Sequence, residues 1–333
     1  MTGPGQIEPQ PAPPPQSGPT DLVIRTDAVG ICATDLELLS GTMPYLTNGF
    51  ARYPVIPGHE WTGTVIGIGQ EVSDFAIGDR IVGECSIGCG TCARCLTGSY
   101  HLCPKRTETG IAGRPGALAS ALVFPAAAAH HVPATVSARD AALVEPLAVA
   151  YRGLSRAGVP PRGGVGIIGA GTIGLLCALA ARALEVADIY LFEVDPHRRR
   201  FAASLGFAVS ERPGHQLPAV IEASGTAAGA AAAVDACLDG GTIVLLGLTG
   251  SSAEPMNLDR IVTRDLTVIG SLSSPGIWPE VINLIAEGRV QPSKLVSHEF
   301  PLDDVAVAFS TAAGRAPGVR KILVWPNEEA RNG

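Results

Sequence analysis

The chain has no surplus of basic residues: 24 Lys and Arg stand against 31 Asp and Glu over 333 residues, a formal charge of −7. This argues against a nucleic-acid backbone as the main partner, because no cationic excess is available to displace its counterions. Cysteine is scarce for a disulfide scaffold, with eight in the whole chain, so their positions matter more than their number. No secretory or transit signal is expected either. The first twenty residues hold seven prolines and no apolar stretch, which reads as an extended, polyproline-like lead. The expected setting is the reducing cytoplasm, where clustered cysteines bind metal more often than they pair. No internal repeat is present, and the proline lead is the only low-complexity tract.

One stretch, Gly163 to Ala181, carries no charge and approaches the length of a membrane span. Its glycines at 163, 164, 166, 169, 171 and 174 favour a buried strand, a tight turn and a buried helix instead. No membrane partner is expected.

The length exceeds one ordinary core and predicts two domains. Up to about residue 147 the sequence is strand-rich and punctuated by Gly and Pro, as in "DLVIRTDAVG" and "TGTVIGIG". From 148 to 290 short apolar strands alternate with Ala-rich helices. Strands are expected at Val165–Ile168, Ile189–Glu193, Ala219–Ala223, Thr242–Gly247 and Leu266–Ser271. Helices are expected near Thr172–Ala183, Pro196–Leu205, Ala227–Leu238 and Pro279–Ala286. This alternation implies an α/β fold with a doubly wound parallel sheet. The tail from 291 returns to strand, helix and strand. Residues 1–147 and 291–333 would then form one domain around an inserted nucleotide-binding domain, 148–290.

Five of the eight cysteines lie between Cys85 and Cys103. Cys89, Cys92, Cys95 and Cys103 read C-x2-C-x2-C-x7-C, a spacing that lets one turn aim successive thiolates at a single ion. Four thiolates with no open position describe a structural zinc site. Cluster ferredoxins share the first three positions, but they place a Cys-Pro three residues further on, and here Cys103-Pro104 comes later. Cys85 is a spare thiol. Cys177 and Cys237 read as small core residues on apolar helix faces.

A second set is scattered: Cys32 in "VGICATD", His59 and Glu60 in "IPGHEWTG", Glu145 in "LVEPLAV". Singly, each has a plain reading as a core cysteine, a turn, or a residue before a helix. Together they offer thiolate, imidazole and carboxylates, a mixed donor set that suits catalytic zinc with one position left for water or substrate.

Gly169-Ala170-Gly171-Thr172-Ile173-Gly174 matches G-x-G-x-x-G, with an expected strand before it and an apolar helix after it. The first glycine permits the turn, the second admits a pyrophosphate, and the third packs helix on strand, with the helix N-terminus facing the phosphates. Two acids compete for the ribose, Glu193 and Asp195, and Glu193 is the one expected to hold it. A carboxylate there favours NAD by repelling a 2′-phosphate, while the run Arg198–Arg200 keeps NADP open. Arg198 is also a candidate to cover the adenine. Gly247, Leu248 and Ser271, at the ends of later strands, are further cofactor-binding candidates.

These motifs, in this order from Leu22 to Pro326, resemble the zinc-dependent medium-chain alcohol and polyol dehydrogenases. "GHE" and "EPLAVA" are most similar to the sorbitol, threonine and aminocyclitol branch, including the 2-deoxy-scyllo-inosamine dehydrogenases. The resemblance implies a GroES-like β-rich catalytic domain beside the Rossmann domain. It also implies one catalytic and one structural zinc, NAD as cofactor, a small polar alcohol as substrate, and a homodimer or homotetramer. Catalytic zinc would be held by Cys32, His59 and Glu60, with Glu145 as an exchanging or supporting carboxylate. Thr34 would open a proton relay whose end, a histidine in many relatives, is Glu37 here.

The chain departs from the family pattern in two places. The opening β-hairpin is expected to be largely absent. Only Arg212–Pro218 links "FAVSE" to the next strand, where relatives have a helix; seven residues reach about 23 Å, barely enough to cross three strand spacings of about 4.8 Å and return. The third strand is therefore expected to be short or absent and the link extended. Two rival readings stay open: a zinc-free NADPH quinone or enone reductase on the same fold, and a zinc-knuckle nucleic-acid or nucleotide-sensing protein.

Overall fold

The computed structural model describes residues 1–249, 257–314, 316–327 and 330–331. The chain divides into two compact units, Met1–Glu145 with Ser273–Gly333, and Pro146–Leu272. The second division comes before the expected residue 290. The helix Trp278–Ala286 belongs to the first unit, where Trp278 is buried and stacks on His130 at 5.3 Å.

In chain order the first unit opens with strand β1 (Asp21–Gly30), helix α1 (Ala33–Ser40), β2 (Glu60–Ile68), β3 (Arg80–Gly83) and β4 (Ser86–Ile87). It continues with β5 (Thr107–Thr109), β6 (Gly113–Arg114), β7 (Ala121–Pro125) and β8 (Ala129–His131). Helix α2 (Val144–Ala157) starts at the division between the units. The second unit holds β9 (Gly164–Ile168), α3 (Thr172–Ala183), β10 (Asp188–Phe192), α4 (Pro196–Ser204), β11 (Ala208–Ser210), β12 (Leu217–Glu222), α5 (Ala227–Ala236), β13 (Cys237–Leu245) and β14 (Thr267–Gly270). The chain then returns to the first unit with α6 (Trp278–Ala286), β15 (Val296–Pro301), α7 (Val305–Gly314) and β16 (Lys321–Trp325).

In the first unit β15, β16, β1, β2, β3 and β8 form one sheet, with β7 also paired to β1. Alternation in β1 buries Leu22 and Ile24, which join Trp61, Val65, Ile81 and Phe124 in one apolar cluster. Each such side chain contributes roughly 1.5–3 kcal/mol of burial. Trp61 and Phe124 meet edge to face at 5.0 Å. The pairing of Gly30 with Glu60 across β1 and β2, and with Leu323 across β1 and β16, fixes the end of the sheet where the candidate site lies. In the proline lead, residues 7–18 are in neither helix nor strand. It lines a cavity of about 1090 Å³ together with Phe50, Tyr53 and Leu118.

In the second unit the sheet order is β11-β10-β9-β12-β13-β14, all parallel. This is the doubly wound 3-2-1-4-5-6 order. As the short link requires, β11 has only three residues, and positions 211–216 contain no helix. The uncharged stretch expected as strand, turn and helix is β9, the glycine turn and α3, whose residues from Gly174 to Ala181 are all buried. Among the described residues no helix is long and apolar enough to cross a membrane. Cys237 is a correction: it opens β13 in extended geometry rather than continuing the helix, although it is buried as expected.

Candidate active site and thiolate knuckle

The loop between β4 and β5 brings Cys89, Cys92, Cys95 and Cys103 together, their sulfurs all within 4.8 Å of one another. Cys92 caps a short helix, Ala93–Leu96, which turns Cys95 back toward the others. Gly88 must be small, since a Cβ there would lie 2.5 Å from the Cys95 sulfur. Sulfur–sulfur separations of 3.6, 3.7 and 4.0 Å match the edge of about 3.8 Å implied by Zn–S bonds of about 2.3 Å in a tetrahedron. Backbone N–H groups of Cys89 and Lys105 donate to the Cys103 sulfur at 3.5 and 3.3 Å. The Thr91 and Cys92 donors pull the Cys89 thiol down to about 5. The donor chemistry fits a tetrathiolate metal site.

The second group forms where β1, α1, β2 and β16 meet. Cys32 is the N-cap of α1, and His59 and Glu60 lead into β2. One donor atom from each lies within 4.8 Å of the others. His59 and Glu60 are buried and Cys32 is half-buried. Asp35 organises this corner. Its Oδ2 accepts the Cys32 N–H at 2.9 Å, and its Oδ1 accepts the Gly58 N–H at 3.2 Å and lies 3.7 Å from His59 Nδ1. Burial pulls the His59 imidazole pKa down, but the charges of Asp35, Cys32 and Glu145 outweigh it and hold the group well above its ordinary value. His59 Nδ1 is a buried atom with no hydrogen-bond partner. An imidazole with an unpartnered buried nitrogen, a thiol and a carboxylate converging in one corner fit a catalytic zinc with an open position.

Lys321 supplies the charge balance. It is buried at the head of β16, forms an ion pair with Glu60 Oε2, and donates to the Ile31 carbonyl at 2.9 Å. Gly30 leaves room for it, because a Cβ there would collide with the Glu60 carboxylate and the Lys321 Cε. Glu145 stays outside the three-donor group. Burial raises its carboxyl to about 7, although His59 pulls the other way. Thr34 and Glu37 lie half-buried on α1, and burial raises the Glu37 carboxyl. Neither joins the donor group.

Asp35 and Lys321 are the two residues that motif reading missed. Asp35, three residues after Cys32, has capping-box spacing. Lys321 carries a weaker signal: a single cation opening the otherwise apolar run "KILVW".

In the second unit the glycine motif forms the turn between β9 and α3, with Gly171 as the helix N-cap. Gly169 has φ +96°, and a Cβ on Gly174 would lie 1.9 Å from the Gly169 carbonyl oxygen. A Cβ on Gly171 would meet nothing within 4 Å, so this turn presents an open backbone cradle of the kind a pyrophosphate fills. The two competing acids separate. Glu193 is buried beside the turn, its Oε2 accepting the Ala170 N–H at 2.8 Å. Asp195 caps α4 by accepting the His197 and Arg198 N–H groups at 2.7 and 2.9 Å. Arg198 lies 3.9 Å from Glu193; Arg199 holds the Glu193 and Val194 carbonyls, and Arg200 meets His197. Gly247 packs on Gly225 and Glu222, Leu248 is exposed, and Ser271 donates its N–H to the Leu245 carbonyl at 3.0 Å.

Comparison with known proteins agrees with both units. Residues 18–134 match the alcohol dehydrogenase GroES-like domain, and residues 172–287 match the zinc-binding dehydrogenase domain. The chain is 30% identical over 319 residues to sorbitol dehydrogenase of Arabidopsis thaliana, covering 90% of this chain and 87% of that one. It is 31% identical to L-idonate 5-dehydrogenase of Vitis vinifera, covering 90% and 86%. A zinc-binding dehydrogenase structure from Sinorhizobium meliloti 1021, solved with NADP, aligns with a TM-score of 0.89 at 31% identity and covers 97% and 96% of the two chains. The chain belongs to the zinc-dependent medium-chain alcohol and polyol dehydrogenases, nicotinamide-dependent enzymes acting on CH–OH groups. The resemblance carried by its motifs is borne out, as is the pairing of a GroES-like with a Rossmann domain.

Proposed function

We propose that this enzyme transfers hydride between a secondary alcohol of a polyol, cyclitol or aminocyclitol and NAD. The observation that carries this reading is the convergence of Cys32, His59 and Glu60 in one buried corner. Zinc bound there would supply Lewis acidity toward the alcohol oxygen, and a bound nicotinamide would supply the hydride acceptor. Asp35 orients His59 and the Cys32 backbone, and Lys321 offsets the charge of Glu60. Glu145 supports the donor group from beside it. Thr34 hands the alcohol proton on, and Glu37, its carboxyl raised by burial, receives it. Cys89, Cys92, Cys95 and Cys103 would hold the second, structural zinc.

The preference for NAD rests on Glu193, which stands beside the glycine turn, and on the arginines of α4, which are engaged locally. A gathered metal-donor set disfavours the zinc-free reductase. A homodimer or homotetramer in the cytoplasm belongs to the same proposal.

The test is an NADH-production screen over sugar alcohols, inositols, aminocyclitols and simple alcohols, with and without a chelator. The expected result is chelator-sensitive NAD reduction with a polyol or cyclitol. Chelator-insensitive NADPH oxidation with enones alone would replace this reading with the reductase.

A further inference from the structure

The cavity beside the proline lead lies wholly within the first unit, and none of Cys32, His59, Glu60 or Glu145 lines it. Its volume of about 1090 Å³ is that of a large small-molecule pocket. Residues 7–15 of the lead contribute five prolines to its lining, and Phe50, Tyr53, Leu118 and Val305 add further apolar surface. Proline rings have almost no rotamer freedom to lose when a ligand packs on them.

The charged groups of this lining are unequal. Glu8 and Arg52 are exposed and already engaged: Glu8 Oε1 accepts from Gln10 Nε2 at 3.0 Å, and Arg52 Nε donates to the Gly49 carbonyl at 3.4 Å. Arg114, in β6, is half-buried, and its Nε is a buried atom with no hydrogen-bond partner. Burial lowers the pKa of its guanidinium, and the charge of Asp21 offsets this only in part. Asp21 itself accepts the Gly18 N–H at 3.0 Å. A guanidinium N–H taken out of water without an acceptor costs free energy that an anionic ligand would return.

The backbone that carries Arg114 is fixed in place. The N–H groups of Gly116, Ala117 and Leu118 donate to the carbonyls of Ile56, Gly58 and Pro57 at 2.7, 2.9 and 3.0 Å, and the Arg114 carbonyl accepts the Gly110 N–H at 3.1 Å. Gly116 is required there, since a Cβ would lie 2.3 Å from the Pro57 carbonyl oxygen. A cation on a held loop facing an apolar cavity is arranged before any ligand arrives, which reduces the ordering cost of binding.

We propose that this cavity is a second ligand site, separate from the reacting site, and that it binds a small monocarboxylate. Arg114 takes the carboxylate through its parallel donors, and the apolar body of the ligand lies against the proline lead and Phe50. One free guanidinium balances one negative charge. A dianion such as a phosphate ester would leave charge unmatched among apolar groups, which is costly.

The experiment is a calorimetric titration of the full-length, zinc-loaded protein with cyclohexanecarboxylate, and with cyclohexanecarboxamide as its uncharged counterpart. The expected result is about one carboxylate per chain, saturating below about 10 mM. Binding should be at least about tenfold weaker for the amide, and for the carboxylate in Arg114→Leu. Equal affinity for acid and amide, or no saturation in that range, overturns the proposal. Unchanged affinity in Arg114→Leu also overturns it, placing the carboxylate elsewhere, the metal corner included. Should Arg114→Leu lose its cooperative thermal transition, Ala119→Phe decides, because it fills the cavity and keeps the guanidinium. Affinity at least about fivefold weaker in that variant supports the site, and unchanged affinity overturns it. None of these readouts needs turnover, so failure of the dehydrogenase reading would leave them standing.

Discussion

The thiolate knuckle and the Cys32–His59–Glu60 corner both gather metal donors, but they are assembled in opposite ways. The knuckle draws four identical donors from one loop, three of them half-exposed, and satisfies their charge with backbone N–H groups. The corner takes three different donors from separate parts of the first unit, and its neighbours are titratable side chains: Asp35, Glu145 and Lys321. A closed set of thiolates holds structure. A mixed set among acids and a cation leaves room for substrate and manages protons.

The sharpest way to break this contrast is to remove one donor from the corner alone. His59→Ala is expected to lower NAD reduction by at least about a thousandfold, with the knuckle's zinc retained. Steady-state rates with metal analysis on the same sample check this, and a variant that keeps most of its activity contradicts a catalytic role for the corner.

Next in size is the charge balance that only the corner possesses. Lys321→Met leaves the Glu60 carboxylate buried and unpaired, which is expected to cost about 3–5 kcal/mol in urea unfolding. The double variant Lys321→Met with Glu60→Gln should recover a large part of that loss. Additive losses would mean that the two side chains do not act as a pair.

The smallest effect is expected at a polar cluster containing no metal donor. Glu299 accepts from Arg139 at 2.8 and 3.1 Å and from Trp325 Nε1 at 3.0 Å, with Arg331 at 3.5 Å. Burial raises its carboxyl, but these partners win and hold it below its ordinary value. Its folded pKa is thus lower than its unfolded one, so the stabilisation is present above the unfolded value and is lost as pH falls through the folded value. Glu299→Gln should cost about 1 kcal/mol at neutral pH and progressively less on acidification. Thermal melts of both proteins at several acidic pH values check the convergence; a constant gap would show that packing, not charge, is involved.

How far sequence reading reached follows the same contrast. The knuckle was legible because its donors are neighbours in sequence, with spacing set by one turn. The glycine turn was legible because a strand, turn and helix signature is local, and the length of the 212–218 link limited β11 by reach alone. The corner was legible only as scattered fragments, since Cys32 and His59–Glu60 meet through the pairing of β1 with β2. Lys321 was hidden for that reason: it reaches Glu60 from the far end of the chain through β16. Glu193 was preferred to Asp195 by counting back from Gly206, which ends the next helix; in the structure Asp195 is engaged in capping α4. Cys237 was misplaced on a helix because an Ala-rich run gives no local stop signal before it.

The central claim, that one chain holds a structural and a catalytic zinc in differently built sites, is tested most directly by counting zinc. Metal content per chain would be measured in the unsubstituted protein, in Cys32→Ser and in Cys103→Ser. The account predicts two ions in the first and one in each variant, with Cys32→Ser folded but inactive and Cys103→Ser the less stable of the two. A single ion in the unsubstituted protein, or two ions surviving in Cys32→Ser, would contradict it.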